Sequence, residues 1–123
     1  MTPLEEFETY RLKYVPCTKQ QLWYNISRKE NLSEDFINKY SKKLDWFCIL
    51  ARREFSEEFI LNHIKYFNVL DWMLLSLTHK LSLSFIKQNL SIMKLDNIIN
   101  NKRYSEEELE AIKEIYFEYG DLV

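Results

Sequence analysis

Two cysteines and two histidines are the side chains of this chain best suited to nucleophilic or metal chemistry, and their spacing favours neither. A catalytic Cys–His pair would join Cys17 or Cys48 to His63 or His79. Cys48 lies inside the apolar run Trp46-Phe47-Cys48-Ile49-Leu50-Ala51, where a small thiol reads as a core residue. Cys17 follows Pro16 in an expected loop, with no neighbour to lower its thiol pKa. No CxxC is present, and two isolated histidines lack the spacing of a zinc site. Paired carboxylates such as Glu57-Glu58 point about 100° apart on a helix, so they do not converge on one substrate atom. The expectation is a protein with no catalytic residues, no metal and no cofactor, hence not an enzyme.

The basic residues form a more suggestive set. Arg28-Lys29, Arg52-Arg53, His79-Lys80 and Lys102-Arg103 recur at regular intervals. Stacked along one edge, such pairs could bind phosphates. They are equally expected at helix C-termini, where cations oppose the dipole. Acids follow within a few residues at the second junction, Arg52-Arg53-Glu54-Phe55-Ser56-Glu57-Glu58. They are missing at the third, His79-Lys80-Leu81-Ser82-Leu83-Ser84. That junction is expected to be locally positive, a place for an anion or an acidic partner surface at His79, Lys80, Ser82 and Ser84. Lys102, Arg103, Arg52 and Arg53 extend the same candidate edge. Tyr40, Tyr66 and Tyr104 are expected to be exposed and to supply a protein-binding face. Trp23, Trp46 and Trp72 could stack on bases, but their fixed place before apolar runs reads as core.

The elements that carry these residues follow from composition and periodicity. A single glycine and two prolines cannot supply the positive-φ turns of a sheet protein this size. The same count excludes Gly-rich phosphate loops. The chain is therefore expected to be all-α. Basic and acidic residues nearly balance, at a net charge of −2, with no global pull toward nucleic acid or membrane. No apolar run approaches the ~18 residues of a spanning helix, and the acidic N-terminus lacks a signal-peptide pattern. These features predict reduced thiols and a cytoplasmic protein.

The sequence repeats. Leu32-Ser33-Glu34-Asp35-Phe36-Ile37 leads to Leu44-Asp45-Trp46; Phe55-Ser56-Glu57-Glu58-Phe59-Ile60 leads to Leu70-Asp71-Trp72; Leu81-Ser82-Leu83-Ser84-Phe85-Ile86 leads to Leu95-Asp96-Asn97. A fourth start appears at Tyr104-Ser105-Glu106-Glu107. The start serines are spaced by 23, 26 and 23 residues, and Trp23, Trp46 and Trp72 each precede the next start serine by ten. Each copy predicts two helices. Ser33 and Ser56 cap the first, with acids in its opening turn; Asp45 and Asp71 cap the second, which is expected to be buried nearly all round. The predicted architecture is one all-α domain over 1–123, a small α-solenoid or helical bundle of stacked helix pairs. It comprises an N-terminal cap at about 2–30, repeats at 32–54, 55–80 and 81–103, and a capping helix at 105–120.

At the ends, Thr2-Pro3-Leu4-Glu5 is a capping box opening a helix to about Tyr14, with Leu4, Phe7 and Tyr10 or Leu12 inward. The last helix places Leu109, Ile112, Tyr116 and Tyr119 on one face. Gly120 stands where a left-handed stop belongs.

The Ser-Glu-x-Phe-Ile … Leu-Asp-Trp pattern, over Leu32 to about Arg103, resembles the short tandem helical repeats of large phages and giant DNA viruses. The third copy departs from it, with Leu83-Ser84 for the acidic pair and Asn97 for Trp. The resemblance implies a viral or mobile-element origin and a binding role: a protein binder, in its sharpest form an inhibitor of a host enzyme or defence complex (an anti-defence or anti-CRISPR type), acting in host cytoplasm. The partner is then a host or viral protein, with no membrane, and the chain is a monomer or homodimer. The alternative is a nucleic-acid or nucleotide binder using the basic edge.

Overall fold

In the computed structural model, residues 1–119 are described. Among them are nine α-helices, one 3-10 turn and no strand. The helices are α1 (Pro3–Lys13), α2 (Lys19–Lys29), α3 (Glu34–Lys39), α4 (Trp46–Arg52), α5 (Glu57–His63), α6 (Val69–Thr78), α7 (Leu83–Gln88), α8 (Leu95–Ile99) and α9 (Glu106–Tyr119). They form two compact units, one ending at Arg52 and the other starting at Arg53.

The serine and threonine start signals read from the sequence act as written. The hydroxyls of Ser33, Ser56 and Ser82 each accept the backbone N–H three residues on, at 3.1 Å. Thr2 and Glu5 exchange both bonds of a capping box, as do Ser105 and Glu108. A further box, Thr18 with Gln21, opens α2. Behind each start serine the Phe-Ile pair is buried: Phe36 and Ile37, Phe59 and Ile60, Phe85 and Ile86. Burying two such side chains contributes a few kcal/mol per copy, at ~1.5–3 kcal/mol each.

In the first unit α1 packs on α3 and α2 on α4. Beside its aliphatic core of Ile26, Ile37, Ile49 and Leu50 lies a cluster of aromatic rings. Phe7 stacks on Trp23 at 5.1 Å, Tyr10 meets Phe36 edge-on at 5.5 Å, and Tyr40 lies 4.7 Å from Phe36. The Trp46 indole N–H donates to the Ser41 carbonyl at 3.0 Å. In the second unit α6 packs on α8, and α9 packs on both α7 and α8.

Several local expectations are corrected. Leu4 and Leu12 point outward, 54% and 65% exposed, and the inward face of α1 is Glu6 and Tyr10 with Phe7 beside them, as expected for Phe7 and Tyr10. A helix face is fixed by which register meets the partner, and the Glu6–Tyr10 register does so here. The second helices are not buried all round, since Phe47 and Ala51 face outward on α4. Cys48 is half-buried rather than core, its thiol pushed up by burial and by the Asp45 carboxylate. Asp71 does not cap α6 as Asp45 caps α4. The Asp45 carboxylate accepts the Cys48 N–H at 3.3 Å, whereas Asp71 is the third residue of a helix capped by Asn68. The reason is the three extra residues of that copy. They are absorbed by the 3-10 turn Ile64–Tyr66 and by an earlier helix start, which leaves Leu70 57% exposed where Leu44 is buried. The stop expected at Gly120 lies outside the described residues.

Candidate functional site

Most cations of the basic edge are exposed but engaged with groups of their own unit. In the first unit the Arg52 guanidinium donates to the Arg28 carbonyl at 2.6 Å, satisfying an open C-terminal acceptor of α2. In the second unit Arg103 does the same for the Thr78 carbonyl of α6, at 3.3 Å, and pairs with Glu54 at 2.5 Å. Lys80 pairs with Glu108 at 3.0 Å. The guanidinium of Arg53 lies over the Phe55 ring at 4.8 Å, and that of Arg28 over Tyr24 at 5.3 Å. Lys102 is exposed.

The third junction is not locally positive. Its missing acids are replaced by carboxylates from neighbouring copies: Glu57 accepts both the Ser82 N–H and the Ser82 hydroxyl at 2.8 Å, and Glu108 sits on Lys80. Ser82 is thus already bonded to an anion, and Ser84 stands exposed beside it. The counterpart in the first unit is Glu6, whose carboxylate accepts the Ser33 hydroxyl at 2.7 Å, the Ser33 N–H at 3.2 Å and the Tyr10 hydroxyl at 2.8 Å. Burial and this carboxylate push the Tyr10 phenol well up.

His79 is a structural residue, not an edge cation. It is buried, its Nε2 accepts the Phe55 N–H at 3.1 Å, and its Nδ1 lies 2.9 Å from the Thr78 hydroxyl. An acceptor at Nε2 requires the neutral ring, and burial, with Arg103 against and Glu54 for the cation, holds its pKa below the ordinary imidazole value. Asn101, unremarked in the sequence, completes this buried network. Its amide donates to the carbonyls of Ser76 at 3.0 Å and His79 at 2.8 Å, and its oxygen accepts the Arg103 N–H at 3.1 Å.

The tyrosines expected on an exposed face are corrected too. Tyr104 is buried, its hydroxyl accepting the Leu81 N–H at 2.7 Å. Tyr40 is half-buried within the cluster of Phe7, Trp23 and Phe36. Tyr66 is half-buried beside His63, with the Lys65 ammonium 5.3 Å above its ring. Aromatic area at these positions serves packing, as it does for Trp46 and Trp72.

One open feature coincides with the junction singled out by sequence. A cleft of about 470 Å³ lies between the start of α7 and the face of α9. Leu81, Tyr104, Ala111 and Ile112 form its apolar wall, Leu83 stands at its lip, and Glu57, Glu107 and Glu108 with Lys80 form its rim. Among the described residues no group of three or more His, Cys, Asp or Glu side chains is placed to hold a metal ion. No helix among them is long and apolar enough to cross a membrane. Known protein families, curated proteins and solved structures provide no match to this chain.

Proposed function

We propose that the chain is a non-enzymatic protein-binding protein built from stacked helix-pair repeats, and that its binding surface lies on the second unit. The observation that carries this reading is the contrast between the basic edge and the cleft. Arg52, Arg103 and Lys80 are engaged with carbonyls and carboxylates of the chain itself. The cleft between α7 and α9 is apolar and open. An apolar centre ringed by polar residues is the usual anatomy of a protein-recognition surface. The sharper form, an inhibitor of a host enzyme or defence complex made by a phage or large DNA virus and acting in host cytoplasm, rests on the resemblance of the repeat motif.

The test is a tagged pull-down from lysate at ~150 mM salt, with and without nuclease, a salt at which nonspecific phosphate contacts are already weak. A protein recovered in stoichiometric amount and unaffected by nuclease is the expected result. Recovery of nucleic acid, lost on nuclease, would replace this reading with the nucleic-acid alternative.

A further inference from the structure

Resting on the protein-binding reading, we infer that the α7–α9 cleft takes one peptide segment of a partner, an apolar side chain of leucine or phenylalanine size flanked by lysines or arginines. Three observations combine. The volume, about 470 Å³, holds one or two large side chains, and Leu81, Ala111 and Ile112 line it together with the Tyr104 and Ser82 hydroxyls, which are already bonded to Leu81 and Glu57. The lip is apolar because this copy departs from the repeat: Leu83, 44% exposed, stands where the other two copies carry Glu34 and Glu57. The surroundings are acidic. Lys80 is neutralised by Glu108, which leaves Glu57 and Glu107 unbalanced at the rim. The helix behind them, α9, carries six Glu against one Lys.

An anchor without flanking charge would gain only the apolar term. An acidic partner surface would be repelled from this rim. A basic flank adds attraction at the rim, where a partner's ammonium or guanidinium groups stay partly solvated. A second copy of this chain fits less well, since its own α9 brings the same negative charge.

The experiment uses the full chain, isotopically labelled, titrated with three synthetic peptides sharing one length. One has a Phe-Leu centre flanked by lysines, one the same centre flanked by glutamates, and one a Ser-Ser centre flanked by lysines. The expected result is saturable shifts of the Leu81–Ser84 and Glu107–Ile112 amides with the first peptide alone. Filling the cleft by Ala111→Trp is expected to weaken binding at least about tenfold. Glu107→Lys, a change at an exposed position that leaves the core untouched, is expected to weaken it by about threefold to tenfold.

The inference is overturned by no shift with the first peptide, by equal shifts with either control, or by shifts elsewhere on the molecule. It is also overturned if binding is indifferent to both variants, or if sedimentation gives twice 15.1 kDa and Ala111→Trp halves it, which would mean that a second copy covers the cleft. A stoichiometric partner that binds Ala111→Trp as well as the parent would overturn the cleft and leave the protein-binding reading intact. Peptide binding without any recoverable protein partner would overturn that reading instead.

Discussion

The start of α3 in the first unit and the start of α7 in the second are held by the same device, and they differ in what fills the space beside them. In both, a carboxylate from the preceding copy or cap takes the N–H and hydroxyl of the start serine: Glu6 on Ser33, Glu57 on Ser82. In both, an arginine from the following copy closes a helix C-terminus: Arg52 on Arg28, Arg103 on Thr78. Beside α3 the space is filled by aromatic rings, Tyr10 and Tyr40 against Phe36 and Phe7 against Tyr40. Beside α7 the facing helix offers Ala111 and Ile112, and a cleft remains. Polar seams recur because every helix end carries open N–H or C=O groups that a side chain from the neighbouring copy can satisfy. Volume is set by single side chains, so a seam can recur while the surface next to it diverges.

The largest expected effect comes from exchanging the residues at one register, four after the aligned Trp46 and Asn97, where the first unit has Leu50 and the second Asn101. Both are buried, but only Asn101 has polar partners around it. Leu50→Asn is expected to cost about 4 kcal/mol, combining lost apolar burial with an unsatisfied amide. Asn101→Leu is expected to cost ~2–3 kcal/mol through two abandoned carbonyls and one abandoned N–H, that of Arg103. Urea unfolding measures both, and a neutral Asn101→Leu would show that the network is incidental.

Next come the two carboxylates. Glu6 is buried and serves three donors, so Glu6→Ala is expected to lower stability by about 2 kcal/mol. Glu57 is half-exposed and serves two, so Glu57→Ala is expected to cost under about 1 kcal/mol. Equal losses would contradict the difference in burial on which this ordering rests.

The smallest effect is a pH dependence confined to the second unit. The folded protein holds His79 neutral with a lowered pKa, so the unfolded chain binds the proton first as pH falls. The contribution is fully present above the ordinary imidazole value and is lost as pH falls through the folded one. Thermal midpoints between about pH 7.5 and about pH 5 are expected to drop in the parent chain. They are expected to drop less in His79→Gln, whose amide oxygen can still accept the Phe55 N–H. An equal drop in both would remove His79 from the account.

The serine-capped helix starts were legible in the sequence because a cap is a local event. Ser33, Ser56, Ser82 and Ser105 each bond a backbone group three residues away, and no distant information is needed. Side-chain direction was harder. Leu4 and Leu12 read as inward by type, yet the register that meets α3 runs through Glu6 and Tyr10, whose polar ends find Ser33. The candidate site was half legible. Loss of acids at Leu83-Ser84 marked the right junction, and the inferred charge had the wrong sign, because Glu57 and Glu108 arrive from 25 and 28 residues away in sequence. Tyr104 and His79 likewise looked available only because their partners, Leu81 and Phe55, lie 23 and 24 residues off. The i,i+4 spacing of Glu6 and Tyr10 was the one sequence signal that could have revealed the first of these carboxylate seams.

The claim that the basic residues hold helix ends together rather than bind phosphate is tested most directly by anisotropy titration of labelled single-stranded and duplex DNA. The comparison is between the parent chain and a variant carrying Lys80→Glu, Lys102→Glu and Arg103→Glu. The account predicts no saturable binding of either DNA by the parent at ~150 mM salt, and a lowered urea midpoint for the variant. Binding by the parent that falls linearly with log salt, and that the variant loses, would contradict it.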